Sequence, residues 1–232
     1  MVTAGLVYLG RQSGVDAVPM KPVHTGCPRV AGDRRAPDLE FALRLAGLHP
    51  SASERRRMCP FRFGPACSPH LAARQAEVRI RLTRITDCFR ALAERHDTVI
   101  VEGAGGALTP LGQGRTMLDL MVVLGLPVLV VARPWLGTLN HTLLTLGALR
   151  RARLTVAGVV LVDTRPGRRG WIETDNQRSI EELAQTRVLS WVPYMPPSAM
   201  PVRPLRAHLA RALSGAWEML ARSSRSGIRS TK

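Results

Sequence analysis

Glu102 closes the β-branched run Thr98-Val99-Ile100-Val101 and opens the small-residue stretch Gly103-Ala104-Gly105-Gly106. An apolar run of this kind reads as a buried central strand of a parallel sheet, which would put Glu102 at the strand's carboxyl end. Ligands of open α/β sheets bind at that edge, and glycines let a phosphate approach the backbone closely. Nucleotide-hydrolysing folds hold magnesium with a carboxylate delivered in this way. The alternative is a flexible glycine turn with a solvated Glu. Lys21 is the second chemical candidate. It and Lys232 are the only lysines in a chain that writes its other cations as arginine, so Lys21 marks a place where a compact ammonium is wanted rather than a planar fork. Asp38 is the third, placed after Pro37 in what reads as a first helical turn.

The elements that must position these groups alternate. A helix from Val2 ends near Gly14, and a strand runs Asp16 to Val23, with His24-Thr25-Gly26 as its turn. A helix follows from Pro37 to Ala46 with Gly47 as its stop. Residues 48–67 read as an irregular loop whose Arg55-Arg56-Arg57 run is solvated. Ser68-Pro69 opens one long helix toward Leu92. After the strand at Thr98 come a short helix at Met117–Val123, a strand at Pro127–Ala132, a helix at Asn140–Arg151 and a strand at Val156–Val162. A helix at Asn176–Gln185, a strand at Arg187–Val192 and a helix at Leu205–Leu220 complete the order. This is the pattern of an α/β, doubly wound, mostly parallel sheet with helices on both faces. We expect one domain over residues 1–222 and a disordered basic tail over 223–232.

Composition narrows the classes. At 232 residues with 45% hydrophobic content the chain can bury a full core. The longest apolar region, Met117–Ala132, is broken by Asp119, Gly125 and Pro127, so no membrane span is expected, and the N-terminus does not read as a signal peptide. Cys27, Cys59, Cys67 and Cys88 include no CxxC pair, which points to reduced thiols and a cytoplasmic setting. A metal cluster of Cys59, Cys67 and His70 lacks zinc-type spacing. The net charge of +16 raises nucleic-acid binding, but the arginines are dispersed and aromatics are only 4%, without a stacking platform.

The motifs Lys21-Pro-Val-His-Thr25-Gly26, Pro37-Asp38, Ser68-Pro-His70, Val101-Glu-Gly-Ala-Gly-Gly106 with Thr109-Pro-Leu111, and Leu136-Gly-Thr-Leu-Asn140-His141 stand in the order and spacing of the dethiobiotin synthetases, which the chain resembles up to about residue 195. The resemblance implies a homodimeric, P-loop NTPase-like enzyme that closes the ureido ring of dethiobiotin from 7,8-diaminononanoate, carbon dioxide and ATP. A carbamate forms on one amine, takes the γ-phosphate, and loses phosphate to the second amine. The resemblance gives Lys21 the catalytic role between carbamate and γ-phosphate. It gives Thr25, Gly137, Thr138 and Asn140 to the substrate, and Asp38 and Glu102 to Mg2+. It lines the nucleotide with Asp38, Glu102, Gly103, Ala104, Gly105, Val162, Asp163, Pro193, Tyr194 and Met195. His70 and His141 receive no role. Helix capping is an alternative account of Asp38 and Asn140.

Two departures accompany the resemblance. A Gly-x-x-x-x-Gly-Lys-[Ser/Thr] phosphate loop is absent from the 232 residues, and Met1 to Leu6 resemble the residues just after such a loop. We therefore expect Met1 to be an internal start or the chain to be a degenerate relative, with little ATP-dependent activity and reduced stability. Val162 stands where the family often carries an Asn that reads adenine, which weakens discrimination among nucleotides. A corrinoid amidotransferase would need a glutaminase region for which the chain has no room. A non-catalytic nucleotide- or nucleic-acid-binding relative is the reading of a different class.

Overall fold

A computed structural model describes residues 1–167, 169–196 and 201–227, with side chains through 221. The chain packs as two compact units, one over nearly all of residues 1–125 and the other over 126 onward.

The first unit begins with α1 (Val2–Gln12) and β1 (Ala17–Met20), whose four residues are all buried. The strand expected from Asp16 to Val23 is split. Pro22 has no N–H for a ladder, the Lys21 N–H donates to Met58 O, and the chain re-forms as β2 (Val23–His24). A small hairpin of β3 (Arg29–Val30) and β4 (Asp33–Arg34) leads to α2 (Pro37–Ala46), which ends as expected on Gly47 at φ 70°.

Residues 48–67 are not the irregular loop expected. Ser51 accepts the Glu54 N–H and caps α3 (Ala52–Met58), and β5 (Phe61–Arg62) then pairs in parallel with β2. The Ser51-x-x-Glu54 spacing is a helix-start signal that the neighbouring prolines and arginines obscured. The long helix expected after Ser68 is also two, α4 (Pro69–Gln75) and α5 (Leu82–Ala93). Glu77 at φ 53° breaks them apart, and the apolar spacing runs on because Ile80 between them is buried.

β6 (Thr98–Val101) lies parallel to β1 and pairs Met20 with Val101. It was expected to be a buried central strand, but its residues are half-buried and β1 is its one strand partner among the described residues. A hairpin of β7 (Pro110–Gly112) and β8 (Arg115–Thr116) precedes α6 (Met117–Leu124), where Thr116 and Asp119 form a capping box. The core of this unit gathers Val18, Met20, Leu39, Leu43, Met58, Phe61, Ile85, Leu92 and Leu120.

The second unit is a βαβαβα run: β9 (Val128–Ala132), α7 (Thr138–Arg151), β10 (Val156–Val162), α8 (Trp171–Ala184), β11 (Val188–Val192) and α9 (Val202–Gly227). β10 lies between β9 and β11, parallel to both, as expected for strands joined through helices. α9 lies against β11, burying Leu209, Leu213 and Ala216. A Cβ on Gly215 would come within 2.6 Å of Leu189 O, so glycine is what lets the helix approach the strand. α8 starts five residues before the expected Asn176, because Glu173 reaches back to the Gly170 N–H. α9 runs to Gly227, into the segment expected to be disordered, while 228–232 lie outside the described residues. Both units are α/β, and every strand pair of more than two residues except the β7 hairpin is parallel.

Candidate active site

The register of two strands brings the first pair together. Met20 and Val101 are partners across β1 and β6, and the next residue on each strand is Lys21 and Glu102. The Glu102 N–H continues the ladder by donating to Met20 O at 2.8 Å. Both side chains therefore leave the same edge, and Lys21 Nζ donates to Glu102 Oε1 at 2.7 Å and to Gly103 O at 3.0 Å. Asp38 arrives from the second position of α2, with its Oδ2 3.0 Å from the same Nζ. Two carboxylates remote in sequence thus meet the ammonium of a lysine that is only 8% exposed.

Burial works against the charge on Lys21, but the Glu102 and Asp38 carboxylates outweigh it and raise its pKa above the ordinary 10.5. Burial also works against the Glu102 anion. Lys21 overcomes it, with a hydrogen bond from Thr3 adding to the effect, and the Glu102 pKa is lowered. The Asp38 pKa is driven well below its usual range by hydrogen bonding from His24, against some burial, and by Lys21. All three groups are charged at neutral pH, which suits the neutralisation and positioning of transferred phosphoryl groups.

Sequence reasoning gave His24 no role beyond a turn, yet it belongs to this cluster. Its Nε2 lies 3.2 Å from Asp38 Oδ2 and its Nδ1 3.5 Å from Cys27 Sγ. Burial lowers the proton affinity of His24, but the bonds to Asp38 and Cys27 more than offset it, and its pKa rises to about 9. Its place inside the Lys21-to-Gly26 motif was the only available signal. Pairing with Asp38 depends on how α2 packs, and spacing does not show that.

The other expected residues of this unit fall close by. Thr25 is half-buried, directly after β2. Gly103 turns its carbonyl to Lys21, Ala104 is half-buried, and Gly105 is exposed at φ 76°. A Cβ on Gly105 would meet Thr109 Oγ1 at 2.4 Å, so this turn closes only with glycine.

In the second unit Val162 pairs with Val192, and the Asp163 N–H donates to Val192 O at 2.9 Å. Val162 and Asp163 therefore share the carboxyl edge of β10 and β11 with Pro193, Tyr194 and Met195. Met195 is 3% exposed, which leaves Pro193 and Tyr194 the more accessible of the three. Asp163 Oδ2 accepts the Trp191 indole N–H at 3.0 Å, and the Arg169 guanidinium stacks 3.5 Å over the Trp191 ring. Neither Trp191 nor Arg169 was singled out in the sequence. Gly137, at φ 91°, is the residue that caps α7, a position expected of Asn140. Asn140 is an exposed residue of the first turn, while Thr138 is buried with its hydroxyl 3.2 Å from that of Thr142.

Asp38 and Glu102 fit magnesium. They offer hard oxygens on one rim, and this ion needs only one or two carboxylates when phosphates and water supply the rest. Among the described residues no three His, Cys, Asp or Glu side chains gather as an all-protein metal site, and burial pushes the Cys59 thiol up, away from ligation.

Parallel strands delivering a lysine and a carboxylate to one carboxyl edge define an α/β fold with a charged ligand-binding rim. The solved structures agree at the level of fold. A ParA family ATPase from Chlorobium tepidum superposes with a TM-score of 0.54 at 13% identity, covering 94% of this chain and 92% of that one. A chain of the MinC:MinD cell division protein complex of Aquifex aeolicus gives 0.52 at 11%, covering 100% of this chain and 90% of that one. The profile of an AAA domain family matches residues 1–202. The ATP-dependent dethiobiotin synthetase BioD of Anaeromyxobacter dehalogenans strain 2CP-C is 42% identical over 216 residues, 90% of each chain. That of Haloferax mediterranei is 37% identical over 193 residues, 83% of this chain and 78% of the relative. The chain belongs to the dethiobiotin synthetase family.

Proposed function

We propose that Lys21, flanked by Asp38 and Glu102, is the group around which this chain carries out ATP-dependent ring closure. As a dethiobiotin synthetase the chain is a ligase of biotin biosynthesis with ATP as co-substrate. Its substrates are diaminononanoate and carbon dioxide, and a nitrogen of the diamine becomes a carbamate before phosphoryl transfer. Lys21 faces the carbamate and the γ-phosphate and neutralises charge that both carry into the transition state. Thr25 hydrogen-bonds the substrate. Displacement of phosphate by the second amine then closes the ring.

Asp38 and Glu102 would hold Mg2+, which supplies charge neutralisation on the phosphate oxygens when bound. The 232 residues contain no Gly-x-x-x-x-Gly-Lys-[Ser/Thr] motif, so the polyphosphate contacts offered by this sequence are Lys21 and the turn Gly103-Ala104-Gly105. Val162, Asp163, Pro193 and Tyr194 are assigned to the base, with Met195 contributing backbone only. The α7 start at Gly137, Thr138 and Asn140 is assigned to the substrate carboxylate through the Gly137 and Asn140 N–H groups, with Thr138 setting the turn, since its hydroxyl is committed to Thr142 and its N–H to Trp135 O. The family resemblance supports a homodimer, a cytoplasmic setting and a single domain to about residue 222.

The convergence of Glu102 and Asp38 on Lys21 carries this reading. The test is diaminononanoate-dependent phosphate release from ATP and bicarbonate, with dethiobiotin identified by mass spectrometry. Phosphate release that ignores the diamine, or salt-sensitive DNA binding without it, would overturn the ligase reading.

A further inference from the structure

Asp38 is about half exposed at the side chain, at 52%, and a carboxylate in that position has solvent rotamers open to it. Yet a single oxygen, Oδ2, takes both Lys21 and His24, and neither contact uses Oδ1. The His24 ring cannot wander. It is 9% exposed and sits on β2, whose His24 carbonyl accepts the Phe63 N–H at 2.8 Å. Behind the ring, the Cys27 thiol donates to the His24 carbonyl at 3.5 Å, which leaves the sulfur free to accept from Nδ1 at 3.5 Å. The ring therefore faces Asp38 with Nε2, which lies 3.5 Å from the Asp38 backbone N and closer, at 3.2 Å, to Asp38 Oδ2, and it is the shorter contact that takes an Nε2–H donor.

We propose that His24 is a positioning residue for Asp38: Nε2 pins Oδ2 toward the Lys21 ammonium, so that Lys21 is held by two carboxylates rather than by Glu102 alone. This rests on the reading of Lys21 as the reactive cation for its significance, but not for its test.

Lys21 and Lys232 are the only lysines, so trace acylation with acetic anhydride followed by peptide mass spectrometry gives the reactivity of Lys21 against an internal reference. Neither nucleotide, metal nor turnover is needed, so failure here is separable from failure of the ligase assignment. Removing the pin in His24→Ala lets Asp38 turn to solvent and raises Lys21 labelling relative to Lys232 by about fivefold, as loss of one ion-pair partner implies. Asp38→Asn raises it equally, and His24→Ala adds nothing on top of Asp38→Asn. His24→Gln, whose amide nitrogen reaches the Nε2 position, restores the original ratio. His24→Asn, which is shorter and reaches only the Nδ1 position, does not. The proposal falls if His24→Ala leaves the ratio unchanged while Asp38→Asn raises it, or if Gln behaves like Ala. Should His24→Ala fail to fold, the contrast between Gln and Asn decides.

Discussion

The rim around Lys21 and the edge around Asp163 are both carboxyl ends of paired parallel strands, but they are built from different materials. At the first, one ammonium and one imidazole meet two carboxylates within 3.2 Å. At the second, a carboxylate takes an indole N–H, and a guanidinium sits over the ring of that indole. The first arranges charge at points, as transferred phosphoryl groups require. The second arranges planar surface with a single acceptor, as recognition of a flat ring requires. Substitutions at the first rim should therefore change rate and stability, and those at the second should change nucleotide choice.

The largest effect expected is from Lys21→Met. Removing one preorganised group from a transition state typically costs on the order of 10²–10³ in turnover, and diaminononanoate-dependent phosphate release should fall by that factor. Lys21→Arg should not rescue it, because a planar fork cannot place a point charge between Glu102 Oε1 and Asp38 Oδ2. An equal loss from Trp191→Ala would break the contrast between the two regions.

Gly105→Ala comes next. A side chain at φ 76° that also runs into Thr109 should destabilise the fold by about 1–3 kcal/mol, read from urea unfolding. A drop of similar size at Gly114→Ala, where φ is 68° but a Cβ meets nothing, would show that backbone conformation alone accounts for it.

The pH dependence of stability sharpens the first side of the comparison. The folded pKa of His24, about 9, lies above its ordinary 6.5, so its contribution is complete below pH 6.5 and is lost as the pH rises through about 9. Asp38 has the opposite sign. Its folded pKa is lowered, so its contribution is present above the ordinary 3.8 and disappears only as the pH falls toward the depressed value. Urea midpoints should therefore decline between pH 6.5 and 9, and His24→Gln should flatten that decline. An unchanged slope in the variant would assign the titration elsewhere.

Legibility in the sequence tracks the range of the interactions. Glu102 was readable because its strand and its glycines are contiguous, and Lys21 because it is an isolated lysine among arginines. Strand-by-strand register then did the rest, since Met20 facing Val101 brings the two side chains to one edge. His24 was not readable as a partner of Asp38, because that contact depends on the packing of α2 over β2. The Ser51 cap is masked by a stretch of prolines and arginines, and the break at Glu77 by continuing apolar spacing. Trp191 reads in the sequence as a strand residue and no more. Strand alternation gives the face of the sheet a side chain takes but not which neighbour its indole N–H will find.

The smallest effect expected lies at that second edge. Trp191→Phe keeps an aromatic surface for Arg169 but removes the N–H that holds Asp163 Oδ2. A neutral-to-charged hydrogen bond of this kind is worth about 1.5–3 kcal/mol when both groups are desolvated, and less where, as here, both are half-buried. Asp163 would then be free to rotate, and because Val162 supplies no amide to read a base, little else on β10 would fix the choice of ring. The KM for ATP should rise by about threefold to tenfold relative to that for other nucleoside triphosphates, with kcat nearly unchanged. A fall in kcat with unaltered relative KM values would place Trp191 with the phosphate chemistry and erase the division of labour between the two edges.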